Sequence, residues 1–268
     1  MLTSPFSLAP ALMPELTLSD FSTSAMIYIA ACAFLSATFH SVSGYAGGLI
    51  LAICLAPVIG VKAVVPVLAM SLLISHSSRV WAFKSGIQWP TYRDVMMTAL
   101  PGIIFGASIY SLLPIGGIAI VLGFFLLASA PLRRLMQKMK IKVGRKALMG
   151  AGVPFGLLSG AAIGAGLILA PFFLAAGLAG EALLGTMAAV AFTVNVVKTA
   201  IFSGFSVLSS DLAILGVAIG ACAVPGNLLG RWIIRNTPIR LHIALVETVV
   251  AVGGFYFLWI AAQEFGWA

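Results

Sequence analysis

Charge is what this chain has least of. Only 8% of its 268 residues are Asp, Glu, Lys or Arg, whereas 61% are hydrophobic. A soluble domain carries about a quarter charged residues, so a water-facing surface cannot be built from this sequence and a soluble globular protein is excluded. Acid is scarcer than base, 7 residues against 15, which leaves a formal net charge of +8. In a soluble protein that excess would suggest nucleic acid. In so apolar a chain it marks loops, because cytoplasmic loops of membrane proteins collect Lys and Arg, and no nucleic-acid partner is expected. Cysteine is rare too: Cys32, Cys54 and Cys222 stand apart in apolar stretches, with neither metal-ligand spacing nor a disulfide framework. The three histidines lie far apart in sequence. There is no Walker-type phosphate loop. An enzyme, a metal site and a bound cofactor are therefore not expected, and neither is direct drive by ATP.

What the chain does have is an internal duplication, the feature to seek before any other. Ser41 to Ala52 reads SVSGYAGGLILA, and Ser159 to Pro171 reads SGAAIGAGLILAP. The string LILA recurs at a shift of 118 residues, from Leu49 to Leu167, each time after a cluster of glycines. Those glycines are Gly44, Gly47 and Gly48 in one copy, and Gly160, Gly164 and Gly166 in the other. Further on, each copy reaches a cation inside an apolar segment: His76-Ser77-Ser78-Arg79 with Phe83 next, and Asn195-Val196-Val197-Lys198 with Phe202 next, at a shift of 119. A one-residue gap aligns both blocks.

Residues 21–61 contain no charged side chain. A spanning helix needs about 20 residues, so this run is too long for one span and barely enough for two. SVSGYAGG interrupts it, as SGAAIGAG interrupts residues 147–180. Both runs are expected to be helical hairpins, or helices that enter, break at the glycines and return. Further spans are expected at roughly 63–83, 95–112, 115–131, 182–204, 212–230 and 241–262. With the loop from Arg133 to Lys146, which holds seven basic residues, placed in the cytoplasm, twelve of the fifteen cations fall inside. Only Lys62 is then outside, with Arg79 and Lys198 in the membrane.

The expected fold is thus an all-α polytopic membrane protein of two inverted-topology repeats, each a broken or hairpin helix followed by about three transmembrane helices. Its parts are a non-cytoplasmic N-terminal extension (1–24), a first repeat (25–131), a basic cytoplasmic loop (132–147) and a second repeat (148–268). Both termini are expected to be non-cytoplasmic. The extension has no basic residue ahead of an apolar stretch and does not look like a secretory signal. Inverted repeats with helices broken at matching positions are a recurrent plan of secondary transporters. Irregular backbone at membrane depth survives only where it is buried in protein or lines a cavity. The two breaks, with Gly47, Gly48, Gly164 and Gly166, therefore point to the site.

Ionisable side chains within spans are expensive and usually functional. Cations at matching positions suggest a shared task, holding an anion, so Arg79 and Lys198 are candidate substrate ligands. Snorkelling to the interface is the other reading of each. In straight helices the two would sit on opposite sides of the midplane, about 15 Å apart. Helix N-termini at the breaks would add backbone N–H donors. His76 and Asn195 lie one turn before their cations on the same helix face, with Ser75 and Thr193 able to assist. His40, His76 and Glu247 are candidates for a proton relay, and interhelical hydrogen bonds or a salt bridge are the plainer reading of each.

The duplicated Gly-rich segments running into LILA and LILAP, the basic central loop, and the H-x-x-R and N-x-x-K pair resemble the TauE/SafE sulfite exporter family. The resemblance covers nearly the whole chain after residue 24. The copies differ in one respect: Pro171 follows the second string directly, whereas the first has Ile53 there and reaches Pro57 later. The resemblance implies export of sulfite or related sulfur-containing anions, including organosulfonates, across the cell inner (plasma) membrane. The expected partners are a small anion, the lipid bilayer, protons as a candidate coupling ion, and a second copy in a candidate homodimer. The alternatives are a carrier of another small organic anion such as a carboxylate, and a non-transporting membrane assembly subunit.

Overall fold

The structure, a computed structural model, describes residues 17–43, 47–138, 143–236 and 239–267. Among these residues there is no strand, and ten α-helices follow one another. They are α1 (Thr23–Ser43), α2 (Gly47–Ile59), α3 (Val61–Ala82), α4 (Trp89–Leu112), α5 (Ile115–Lys138), α6 (Arg145–Ala161), α7 (Gly166–Ala175), α8 (Gly180–Gly204), α9 (Ser210–Asn236) and α10 (Ile239–Glu264). Each half of the chain is a helix, a short helix, and three long ones. The short ones, α2 and α7, have 13 and 10 residues. At about 1.5 Å per residue they reach roughly 20 and 15 Å, too little to cross a hydrocarbon core of about 30 Å.

Val61–Ala82, Trp89–Leu112, Ile115–Leu132 and Gly180–Gly204 are long and apolar enough to cross a membrane, and Ser210–Gly226 and Thr248–Glu264 are apolar stretches of the long α9 and α10. The outward faces match that solvent. Phe105, Phe124 and Phe255 are each more than 60% exposed on the chain (61%, 62% and 66%), which is unfavourable in water and natural against acyl chains. Trp81 and Trp89 are exposed at one end of the bundle and Trp267 at the other, the positions aromatic residues take at the two interfaces. The chain is a multi-pass, all-helical membrane protein.

Helix α4 begins at Trp89 rather than near residue 95, as expected from sequence. Pro90 sits in its first turn, where a missing N–H costs nothing, and Asp94 is held by Arg145 at 3.0 Å. The expected second break is residues 162–165, between α6 and α7. The first falls between α1 and α2, where residues 44–46 lie outside the described part.

The helices pack in a matching pattern. α1 lies against α9 as α4 lies against α6; α3 packs on α8, and α5 on α10. The α4–α6 pair is parallel and very close. A Cβ on Gly102 would stand 2.8 Å from the backbone of Leu157, and one on Gly160 would stand 2.5 Å from the carbonyl oxygen of Ile103. Small residues let backbones approach in this way where lipid offers no hydrophobic drive between helices. Thr98 adds a hydrogen bond from its Oγ1 to the Met149 carbonyl (2.7 Å). In the α1–α9 pair, Thr38 Oγ1 donates to the Gly226 carbonyl (3.1 Å).

Two ends of the bundle can now be distinguished. At one, the Arg145 end, Gln88 N–H donates to Thr186 Oγ1 (2.9 Å), so the turn after α3 meets the start of α8. At the other, the Lys62 end, the Tyr110 hydroxyl donates to the carbonyls of Val61 and Lys62 (3.1 Å each), joining the end of α4 to the start of α3.

Candidate functional site

The start of α2 meets the turn between α6 and α7. A Cβ on Gly48, second residue of α2, would lie 2.6 Å from Ile163 Cγ2, and one on Gly164 would lie 3.1 Å from Leu49. Gly164 has φ +89°, a left-handed conformation that side chains other than glycine's rarely adopt. Its use here is to turn the chain from the end of α6 to the start of α7 within four residues. Ala162, the last residue before that turn, is fully extended (φ −135°, ψ −177°), so its carbonyl leaves the helical ladder.

That carbonyl accepts a hydrogen bond from Lys198 Nζ at 2.9 Å. Lys198 is 2% exposed, its ammonium lies 5.9 Å from the centre of the Phe202 ring, and among the described residues no carboxylate pairs with it. A cation at the centre of a spanning helix costs on the order of 2.5–3.5 kcal/mol on insertion scales, an upper figure for Lys198, which stands past the middle of α8. One carbonyl and one ring face offset only part of such a cost, and an anion is the partner that would complete it.

The space beside Lys198 is a cavity of about 440 Å³. From α3 it is lined by Leu72, His76 and Arg79, and from α8 by Met187, Ala191, Asn195 and Lys198. These spacings of three and four residues each put one helix face on the cavity. Residues 162–166 and Ser159 line it from the second break, and Gly48 from the first. The first backbone N–H groups of α7, from Gly166 onward, lie at this wall, where an N-terminus favours negative charge. Asn195 is buried and donates to the Ala191 carbonyl (2.7 Å). Ser159 is buried with its Oγ donating to the Gly156 carbonyl (3.1 Å). His76 is buried, and Arg79, in the last turn of α3, is half-buried.

Of the residues singled out from sequence, the cavity brings together Arg79, Lys198, His76, Asn195, Gly48, Gly164 and Gly166. The two cations line one space rather than two. Gly47, Ser75 and Thr193 are not among the lining residues. The Ser75 carbonyl accepts from Ser78 Oγ (2.8 Å). Thr193 faces α4, where its hydroxyl meets that of Tyr92 (2.8 Å). The side chains of His40 and Glu247 lie outside the described residues. Sequence reasoning passed over the Ala162 carbonyl, because a main-chain acceptor has no letter of its own. It also left Ser159 without a role, although a polar residue next to a glycine break was a usable signal.

The family model described as Sulfite exporter TauE/SafE matches residues 29–257, which takes in both breaks, both cations and the cavity between them. No curated protein and no solved structure matches the chain. With most of its length covered by that one model, the chain belongs to the TauE/SafE sulfite exporter family.

Proposed function

We propose that the protein is a secondary transporter that exports small sulfur-containing anions, sulfite or an organosulfonate, by alternating access around the two Gly-rich breaks. The observation that carries the reading is Lys198: a buried cation on the cavity wall, fastened to the carbonyl of a helix break. An arriving oxyanion competes with the Ala162 carbonyl for the ammonium. Asn195, His76 and the N-terminus of α7 supply further donors around it, and Arg79 attracts the anion at the other end of the same cavity. Because the ammonium is tied to the break, its release is coupled to the backbone segment that would move.

The two halves are taken as inverted repeats, with the basic 132–147 loop in the cytoplasm of an inner-membrane protein. The Arg145 end then faces inward. An inside-negative potential favours outward movement of an anion by about 2.3 kcal/mol per charge per 100 mV, so export needs no coupled ion. The cavity, about 440 Å³, also has room for an organic anion, a carboxylate included, and that is the second reading.

The test is flux of sulfite, an organosulfonate and a carboxylate in proteoliposomes, wild type beside Lys198→Gln. Saturable flux of a sulfur anion, lost in the folded variant, is the expected result. Intact protein that carries only the carboxylate would transfer the proposal to the second reading. A variant as active as wild type would remove Lys198 from the site.

A further inference from the structure

The cavity is bounded differently at its two ends. Toward the Arg145 end its lining reaches Arg79, Leu174 and Leu184, of which both leucines are exposed on the chain. Toward the Lys62 end it stops at Lys198. One turn beyond, about 6 Å along α8, stands Phe202, with 0% exposure. Its ring packs on that of Tyr110 at 5.4 Å between centroids, and Tyr110 is also 0% exposed. The Tyr110 hydroxyl is itself anchored to the carbonyls of Val61 and Lys62 (3.1 Å each). A continuous chain of contacts therefore runs from the ammonium, through two packed rings, to the first turn of α3.

We propose that Phe202 and Tyr110 form the seal that closes the substrate cavity at the Lys62 end, and that this structure is the conformer open toward the Arg145 end. The proposal rests on the transport reading, since a seal matters only where something passes. Two features support it. The two rings fill the space beyond Lys198 with a tilted aromatic contact, a packing interaction favoured beyond the area it buries and one that can part and re-form without breaking a covalent or ionic link. Phe83, which matches Phe202 at the repeat shift of 119 residues, is the residue that ends α3 at the opposite end. It is half-buried and has no ring partner among the described residues. The same residue type is thus packed into a seal at the closed end and unpaired at the open one. Releasing Lys198 from Ala162 loosens the ammonium above Phe202, which links anion binding to the seal.

The experiment needs no substrate. Ala191→Cys places a thiol on the cavity wall in a chain carrying Cys32→Ala, Cys54→Ala and Cys222→Ala. A charged, membrane-impermeant methanethiosulfonate is then applied to each face in right-side-out and inverted vesicles. We expect modification from the Arg145 side only. Adding Phe202→Ala should open modification from the Lys62 side, at least about tenfold faster than in the parent, and Tyr110→Phe should give a smaller gain. Phe83→Ala should leave the sidedness unchanged. Monodisperse elution in detergent with a melting temperature near the parent's reports that each variant is folded, and Phe202→Leu replaces Phe202→Ala if that test fails. A parent labelled equally from both sides, or a folded Phe202→Ala protein still closed at the Lys62 side, would overturn the seal. Failure of the transport reading would appear instead as absent flux in the wild type, with the sidedness intact.

Discussion

Lys198 and Arg79 occupy matching places in the two halves of the chain, yet their surroundings differ. Lys198 is 2% exposed, bonded to the turn between α6 and α7, and backed by Phe202. Arg79 is half-buried in the last turn of α3, where the cavity reaches exposed leucines. One sequence pattern has produced a closed corner and an open one. The difference teaches that matching side chains need not do the same thing at the same moment. In a carrier built from two related halves, unequal environments are what a single conformer should show.

The sharpest way to break that comparison is to remove each cation in turn. Truncating a buried, hydrogen-bonded charge costs about 2–5 kcal/mol in binding, which at 1.4 kcal/mol per decade is roughly 30- to 3000-fold. Lys198→Gln should therefore reduce anion flux at least about 30-fold, while Arg79→Gln, acting at a half-exposed position, should reduce it by about tenfold. Equal losses would mean that both cations hold the anion at one depth. A larger loss for Arg79 would reverse the assignment of the inner site.

The breaks themselves offer the next contrast. Gly164 combines φ +89° with Leu49 only 3.1 Å from where a Cβ would stand, whereas at Gly166 the nearest atom would be the flexible Met187 Cε at 3.4 Å. A non-glycine residue in the left-handed region costs on the order of 1–2 kcal/mol. Gly164→Ala should lower the melting temperature in detergent and slow transport, and Gly166→Ala should do neither to a comparable degree. If both are silent, the tight turn is not required for the site.

Much of this was legible in the sequence, and the rest was hidden for definable reasons. The scarcity of charge set the class, and the glycines before the second LILA string marked the turn at 162–165 that lines the cavity. Helix periodicity put His76 and Arg79 on one face, and Asn195 and Lys198 on another, and both faces do line the same space. That the two cations share it was not legible, because straight helices place them about 15 Å apart and nothing local shows the start of α2 packing against the turn at 162–165. Thr193 illustrates the opposite failure. It is close to Asn195 in sequence, but the helix turns it toward Tyr92 on α4, a tertiary contact that spacing alone does not encode.

The smallest effects concern the scaffold, where the two halves look most alike. Thr98 donates from α4 to the Met149 carbonyl of α6, and Thr38 donates from α1 to the Gly226 carbonyl of α9. Each hydroxyl also bonds back within its own helix, to Val95 and Phe34 respectively, so the unfolded reference keeps a partner and the net gain is small. Interhelical hydrogen bonds in membranes average about 0.6 kcal/mol. Thr98→Val and Thr38→Val should each cost about that much in an unfolding titration in detergent micelles, and should cost it equally. Gly156→Val, which drives a side chain into the Ala99 backbone, should exceed either because overpacking typically costs about 1–3 kcal/mol. If Thr38→Val were neutral while Thr98→Val cost about 1 kcal/mol, the α4–α6 pair alone would be the rigid support. The α1–α9 pair would then be the element free to shift when the cavity changes sides.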